Sequence, residues 1–144
     1  MLQAKSLGCR HMTYFVAYIA AAAGFLLLDF LWLGFVAKGF YRQEIGALLL
    51  DQFNMVAAIG FYLVFVVGIV IFAVLPALQT GSWKTALLYG ALFGFFTYAT
   101  YDMTTLATLK GWSLSVTFVD IAWGTLLTGT ASLLGYAAAR AVSG

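Results

Sequence analysis

The chain has 144 residues, seven of them Lys or Arg and five Asp or Glu, for a net charge of +2. Hydrophobic residues make up 64% and charged residues 8%, against roughly 25% charged in a soluble domain, and the mean hydropathy is +1.00. This balance excludes a soluble domain, a disordered chain and a nucleic-acid binder; the single Cys9 and single His11 exclude an intramolecular disulfide, a Cys- or His-built metal centre and His-based catalysis. The composition is that of a small polytopic membrane protein whose surroundings are the lipid bilayer, with no metal and no cofactor expected.

Residues 1–11 read as an N-terminal tail or upstream extension, with Met12 a plausible start, and residues 12–144 as one transmembrane domain. Lys5 and Arg10 ahead of an apolar run resemble a signal peptide, but the run continues past Leu26 to Val36, longer than a removed segment. Four segments carry the roughly 20 apolar residues that a membrane helix needs. They run from about Thr13 to Ala37, Met55 to Leu75, Thr85 to Leu109 and Leu114 to Ala139. The expected fold is all-α: four transmembrane helices in a compact bundle. Lys38-Gly39-Phe40 and Lys110-Gly111-Trp112 each read as a helix stop, with a cation, a left-handed glycine and an interfacial aromatic. Pro76 is expected to end the second helix. Between helices one and two, Tyr41, Ile45, Leu48, Leu49 and Phe53 recur at helical spacing, which predicts a short interfacial helix. Four spans put both termini on one side, with Lys5, Arg10, Lys84 and Arg140; Lys38, Arg42 and Lys110 lie on the other. The count favours both termini inside and reverses if the chain starts at Met12.

Asp29, Asp102 and Asp120 fall inside these segments, where a carboxylate is costly and usually faces the bundle interior. Asp29 lies nine residues before Lys38, Asp102 eight before Lys110 and Asp120 eight after Trp112. At about 1.5 Å per residue all three sit roughly 12–14 Å from the side that carries Lys38 and Lys110. Three acids at one level are expected to converge on one site, and in a low dielectric they cannot all stay ionised, which leaves at least one free to donate or exchange a proton. Tyr98 and the indoles of Trp32 and Trp123 are the natural donors, with Lys38, Arg42, Lys110 or a bound cation as sources of positive charge. Thr105, Thr117 and Gly124 lie on the same helix faces. Helices one, three and four are expected to supply the site and helix two only packing, since Tyr62 sits nearer its middle. An intramembrane Asp also serves as a plain interhelical acceptor, worth about 0.6 kcal/mol. Packing alone explains the Gly90-x-x-x-Gly94 pair, and self-bonding to the helix explains the run Thr97, Thr100, Thr104, Thr105 and Thr108. The echo of Asp29-x-x-Trp32 in Asp120-x-x-Trp123 suggests local Asp–Trp pairing on each helix. A second echo, from Asp29 to Lys38-Gly39-Phe40 and from Asp102 to Lys110-Gly111-Trp112, hints at an internal repeat of the kind transporters use.

The strings Leu28-Asp-Phe-Leu-Trp-Leu-Gly34, Tyr98-Ala-Thr-Tyr-Asp-Met-Thr104, Leu106-Ala-Thr-Leu-Lys-Gly-Trp112 and Val119-Asp-Ile-Ala-Trp-Gly-Thr125 resemble a family of bacterial predicted membrane proteins, domain of unknown function 2177. The likeness begins near Met12 and includes Phe72-Ala-Val-Leu-Pro-Ala-Leu78. The family pattern has Asn where this chain has Thr105, so a role needing an amide there does not carry over. The resemblance implies a multi-pass protein of the bacterial cytoplasmic membrane and supplies no reaction. Three functions stay open. One is binding or transport of a small cation, proton or amphiphile, with a homo-oligomer widening the path. Another is a membrane enzyme or accessory subunit working on lipid or isoprenoid chains, with Asp102 and Asp120 as acid and base. The third is a non-catalytic assembly protein.

Overall fold

The computed structural model describes the backbone of residues 2–143 and the side chains of residues 10–143. All regular structure among these residues is helical. Helix α1 spans Leu2–Leu31 and runs into a π-helical turn, Trp32–Val36. Helix α2, Lys38–Ile45, ends in a 3-10 turn, Gly46–Leu48. Helix α3 spans Met55–Ile69, and a second π-helical turn, Val70–Val74, joins it to α4, Leu75–Thr80. Helices α5, Trp83–Thr108, and α6, Leu114–Ser143, complete the chain.

Several ends differ from the sequence expectation. Helix α1 begins upstream of its apolar stretch, at Leu2, while the stretch of membrane-crossing length runs Arg10–Val36, close to the expected Thr13 to Ala37. The side chains of Lys5 and Cys9 lie outside the described residues. Pro76 does not stop the second helix. It falls in the first turn of α4, where a missing N–H is tolerated. The stop is Gly81, at φ 64°, with the Ser82 N–H on the Ala77 carbonyl at 3.2 Å. Gly111 takes the left-handed conformation as expected, at φ 81°, but Gly39 does not and lies inside α2. The first apolar helix instead closes where the Ala37 N–H reaches the Trp32 carbonyl, five residues back, at 2.8 Å. Helix α2 is also shorter than the amphipathic pattern: Leu49 and Phe53 lie beyond it, exposed.

Among the described residues, three stretches are long and apolar enough to cross a membrane: Arg10–Val36, Met55–Thr80 and Leu114–Ser143. Helix α5 has the length, 26 residues, but Lys84, Asp102 and its recurrent threonines dilute its apolar content. The buried core is made mainly by α1, α3, the Val70–Val74 turn and α6, around Phe25, Val66, Ile69, Val74 and Leu127, with Ala77 of α4 and Ala86 of α5 joining it. Helix α5 seals against α6 along a seam of small residues. A Cβ on Gly94 would overlap the Gly124 carbonyl and the Thr128 side chain, so the two backbones meet only because that atom is missing. Large apolar side chains such as Phe35, Val56 and Val64 point outward. Water would penalise that surface, whereas hydrocarbon does not.

Candidate functional site

Asp29 lies in the last turn of α1, buried, with both carboxylate oxygens occupied. The Trp123 indole N–H donates to Oδ1 at 3.2 Å and the Tyr62 hydroxyl donates to Oδ2 at 2.6 Å. Trp123 stacks flat on Trp32, with ring centroids 4.4 Å apart and planes 10° apart. The Trp32 indole N–H donates to the Tyr41 hydroxyl at 3.2 Å, and that hydroxyl donates in turn to Asp120 Oδ1. Two hydrogen-bonded chains, Tyr62–Asp29–Trp123 and Trp32–Tyr41–Asp120, thus meet where the two indoles stack. They tie α1, α2, α3 and α6 together. Burial, and then the bond to Asp120, hold the Tyr41 hydroxyl well above the usual tyrosine range, so it stays a neutral donor.

The Asp–Trp echo therefore resolves into crossed pairing, which corrects the expectation of local pairs. Trp123 of α6 serves Asp29 of α1, and Trp32, through Tyr41, serves Asp120 of α6. The partners of Asp29 and Asp120 here are neutral donors and not the cations Lys38, Arg42 or Lys110.

Asp102 is different. It sits on the α6-facing side of α5, fully buried at 0% exposure, and neither carboxylate oxygen has a hydrogen-bond partner. Together with Asp120 it stands in the wall of a cavity of about 370 Å³. The rest of that wall is Phe61 and Phe65 of α3 and Thr97, Tyr98 and Tyr101 of α5. Tyr98 fits there because a Cβ at Gly124 would overlap its ring. Its ring meets Phe65 edge-on, with centroids 6.3 Å apart.

The three carboxylates consequently do not converge as one cluster. Asp102 and Asp120 share the cavity, and Asp29 is not in its wall, although it lies near enough for its charge to be felt at Asp120. Among the described residues, no three Asp, Glu, His or Cys side chains gather closely enough to hold a metal ion. Thr105 and Thr117 face inward, but their hydroxyls donate to their own helices, at Tyr101 O (2.6 Å) and Ser113 O (3.1 Å), and neither walls the cavity. Thr97, Thr100, Thr104 and Thr108 bond their own helices in the same way.

The second apolar helix contributes more than packing. Tyr62 bonds Asp29, and Phe61 and Phe65 form one wall of the cavity. Tyr41 is the other residue that sequence reasoning passes over. Helical spacing places it on the apolar face of the connector, and no spacing rule says that a connector tyrosine folds back onto an acid 79 residues away.

A family model described as "Predicted membrane protein (DUF2177)" matches residues 14–137 of the chain. No curated protein matches it, and no solved structure matches it.

Proposed function

This chain belongs to the DUF2177 family of predicted membrane proteins, and from that premise we propose that it binds and passes a small cation, proton or amphiphile at the Asp102–Asp120 cavity. In this reading it is a four-span protein of a bacterial cytoplasmic membrane. The fourth span is α5. Its polar and small residues, Gly90, Gly94, Asp102 and Thr105, are buried, which is where a membrane helix keeps them. Helix α2 lies at the interface, and both termini are inside by the charge count of Lys5, Arg10, Lys84 and Arg140 against Lys38, Arg42 and Lys110. Arg140 and Gly81 lie side by side, which agrees with a common face for the α4–α5 turn and the C-terminus.

One observation carries the proposal. Asp102 is a buried carboxylate with neither oxygen partnered, in the wall of a cavity. A purely structural Asp takes interhelical donors, as Asp29 does. A buried acceptor without a donor costs about 1–3 kcal/mol, and an unpaired carboxylate in a cavity wall therefore calls for a role beyond packing.

Proteoliposomes holding a pH-sensitive dye test the proposal. An imposed membrane potential is expected to drive proton entry through the wild-type protein, and Asp102→Asn is expected to cut that rate by about tenfold or more, the equivalent of about 1.4 kcal/mol. Equal rates in the two proteins would leave Asp102 a structural residue and defeat the reading.

A further inference from the structure

The cavity wall says which ligand chemistry it suits. Apart from Asp102 and Asp120, its polar groups are Thr97, whose hydroxyl donates to the Phe93 carbonyl at 2.8 Å, and two tyrosines. A hard inorganic cation such as calcium takes about six to eight oxygen ligands, and this wall offers two carboxylates among aromatic rings. Aromatic faces attract organic cations and shelter their hydrocarbon. A cavity of about 370 Å³ also lies within the size range of small-molecule sites.

The unpartnered oxygens narrow the class further. Asp102 lacks donors, not merely positive charge. A primary ammonium brings three N–H donors, whereas a quaternary ammonium brings charge and none. Helices α3 and α5 touch through Phe65, which stacks on Phe93 at 5.2 Å. Towards Asp102, Phe61 and Tyr101 keep 46% and 60% of their surface exposed on the outer face of the bundle. In a bilayer that face meets lipid.

We infer that the Asp102 cavity is a lateral binding site for a primary or secondary alkylammonium with a short apolar tail, entering from the lipid between α3 and α5. The ammonium supplies the donors that Asp102 lacks, Asp120 adds a second negative group, and Phe61, Phe65 and Tyr101 enclose the tail. This assignment rests on the function proposed above and names the ligand class for it.

Calorimetric titration of the full chain in phosphatidylcholine nanodiscs tests it, with hexylamine, hexyltrimethylammonium and hexanol as probes and empty nanodiscs subtracted. Hexylamine is expected to bind saturably and about tenfold more tightly than hexyltrimethylammonium, with no saturable hexanol binding. Asp102→Asn is expected to weaken hexylamine by about tenfold. The comparison of probes on the wild-type chain does not depend on that variant folding. Hexyltrimethylammonium binding as tightly as hexylamine, or hexylamine affinity unmoved by Asp102→Asn, would overturn the inference. If Asp102-dependent proton entry persists while hexylamine shows no saturable binding, the ligand class is wrong and the proposed function stands. If both fail, both fall.

Discussion

Asp29→Leu is expected to destabilise the protein by about 2–4 kcal/mol, more than any other single carboxylate replacement. The substitution strands two donors at once, the Trp123 indole N–H and the Tyr62 hydroxyl. A buried polar group left without its partner costs about 1–3 kcal/mol. The lower end applies in a bilayer, because a chain unfolded within the membrane also finds partners. Asp29→Asn keeps an acceptor for one of them and is expected to cost about 1 kcal/mol. Denaturation in mixed detergent, followed by tryptophan fluorescence, separates the two variants. The stack of Trp32 on Trp123 makes the signal local to this network. If leucine and asparagine at position 29 behaved alike, the crossed Asp–Trp arrangement would be wrong.

Gly94→Leu is expected to be comparably severe, for a reason of space and not of polarity. The α5–α6 seam admits no Cβ at Gly94, since Gly124 O and Thr128 occupy its place. Both neighbours are held by helix backbone, so a leucine must push the helices apart. Overpacking of this kind costs typically about 1–3 kcal/mol and occasionally more. Because the seam also positions Asp102 and Asp120, the variant should lose the cavity along with stability. Gly60→Ala makes the contrast. That glycine lies in α3, and a methyl group there would meet nothing within 4 Å, so alanine is expected to stabilise by up to about 1 kcal/mol through helix propensity. Thermal unfolding of the wild type and the two variants in one detergent checks both signs.

Much of the architecture is legible in the residues because a bilayer imposes coarse rules. Long apolar runs mark the helices, and charge-poor stretches interrupted by single Asp residues mark buried faces. The strings around Asp29, Asp102 and Asp120 lead to the family to which the chain belongs. The misses share a physical origin. At Pro76 and Gly39, local propensity points to a helix stop that the fold does not use. A π-helical turn just ahead of α4 leaves Pro76 in a first turn, and another at Trp32–Val36 closes the first helix at Ala37, where the span was expected to end, without the left-handed Gly39. Whether an indole serves its own helix or the neighbouring one depends on how two rings stack, and spacing along a single helix carries no record of that. Tyr41 and Tyr62 escape for the same reason: each acts across the fold, on Asp120 and Asp29. That the three carboxylates fall within helices is legible, but their division into a paired Asp29 and an unpartnered Asp102 is not.

The account turns on that division, and labelling with a lipid-soluble carbodiimide followed by peptide mass spectrometry tests it most directly. The reagent reaches carboxyl groups from the hydrocarbon. Asp102, in the cavity wall with no partner on either oxygen, is expected to be modified first, and hexylamine is expected to protect it. Asp29, with Trp123 and Tyr62 on its two oxygens, is expected to stay unmodified over the same time. Modification of Asp29 at the rate of Asp102, or an Asp102 that remains untouched, would contradict the account.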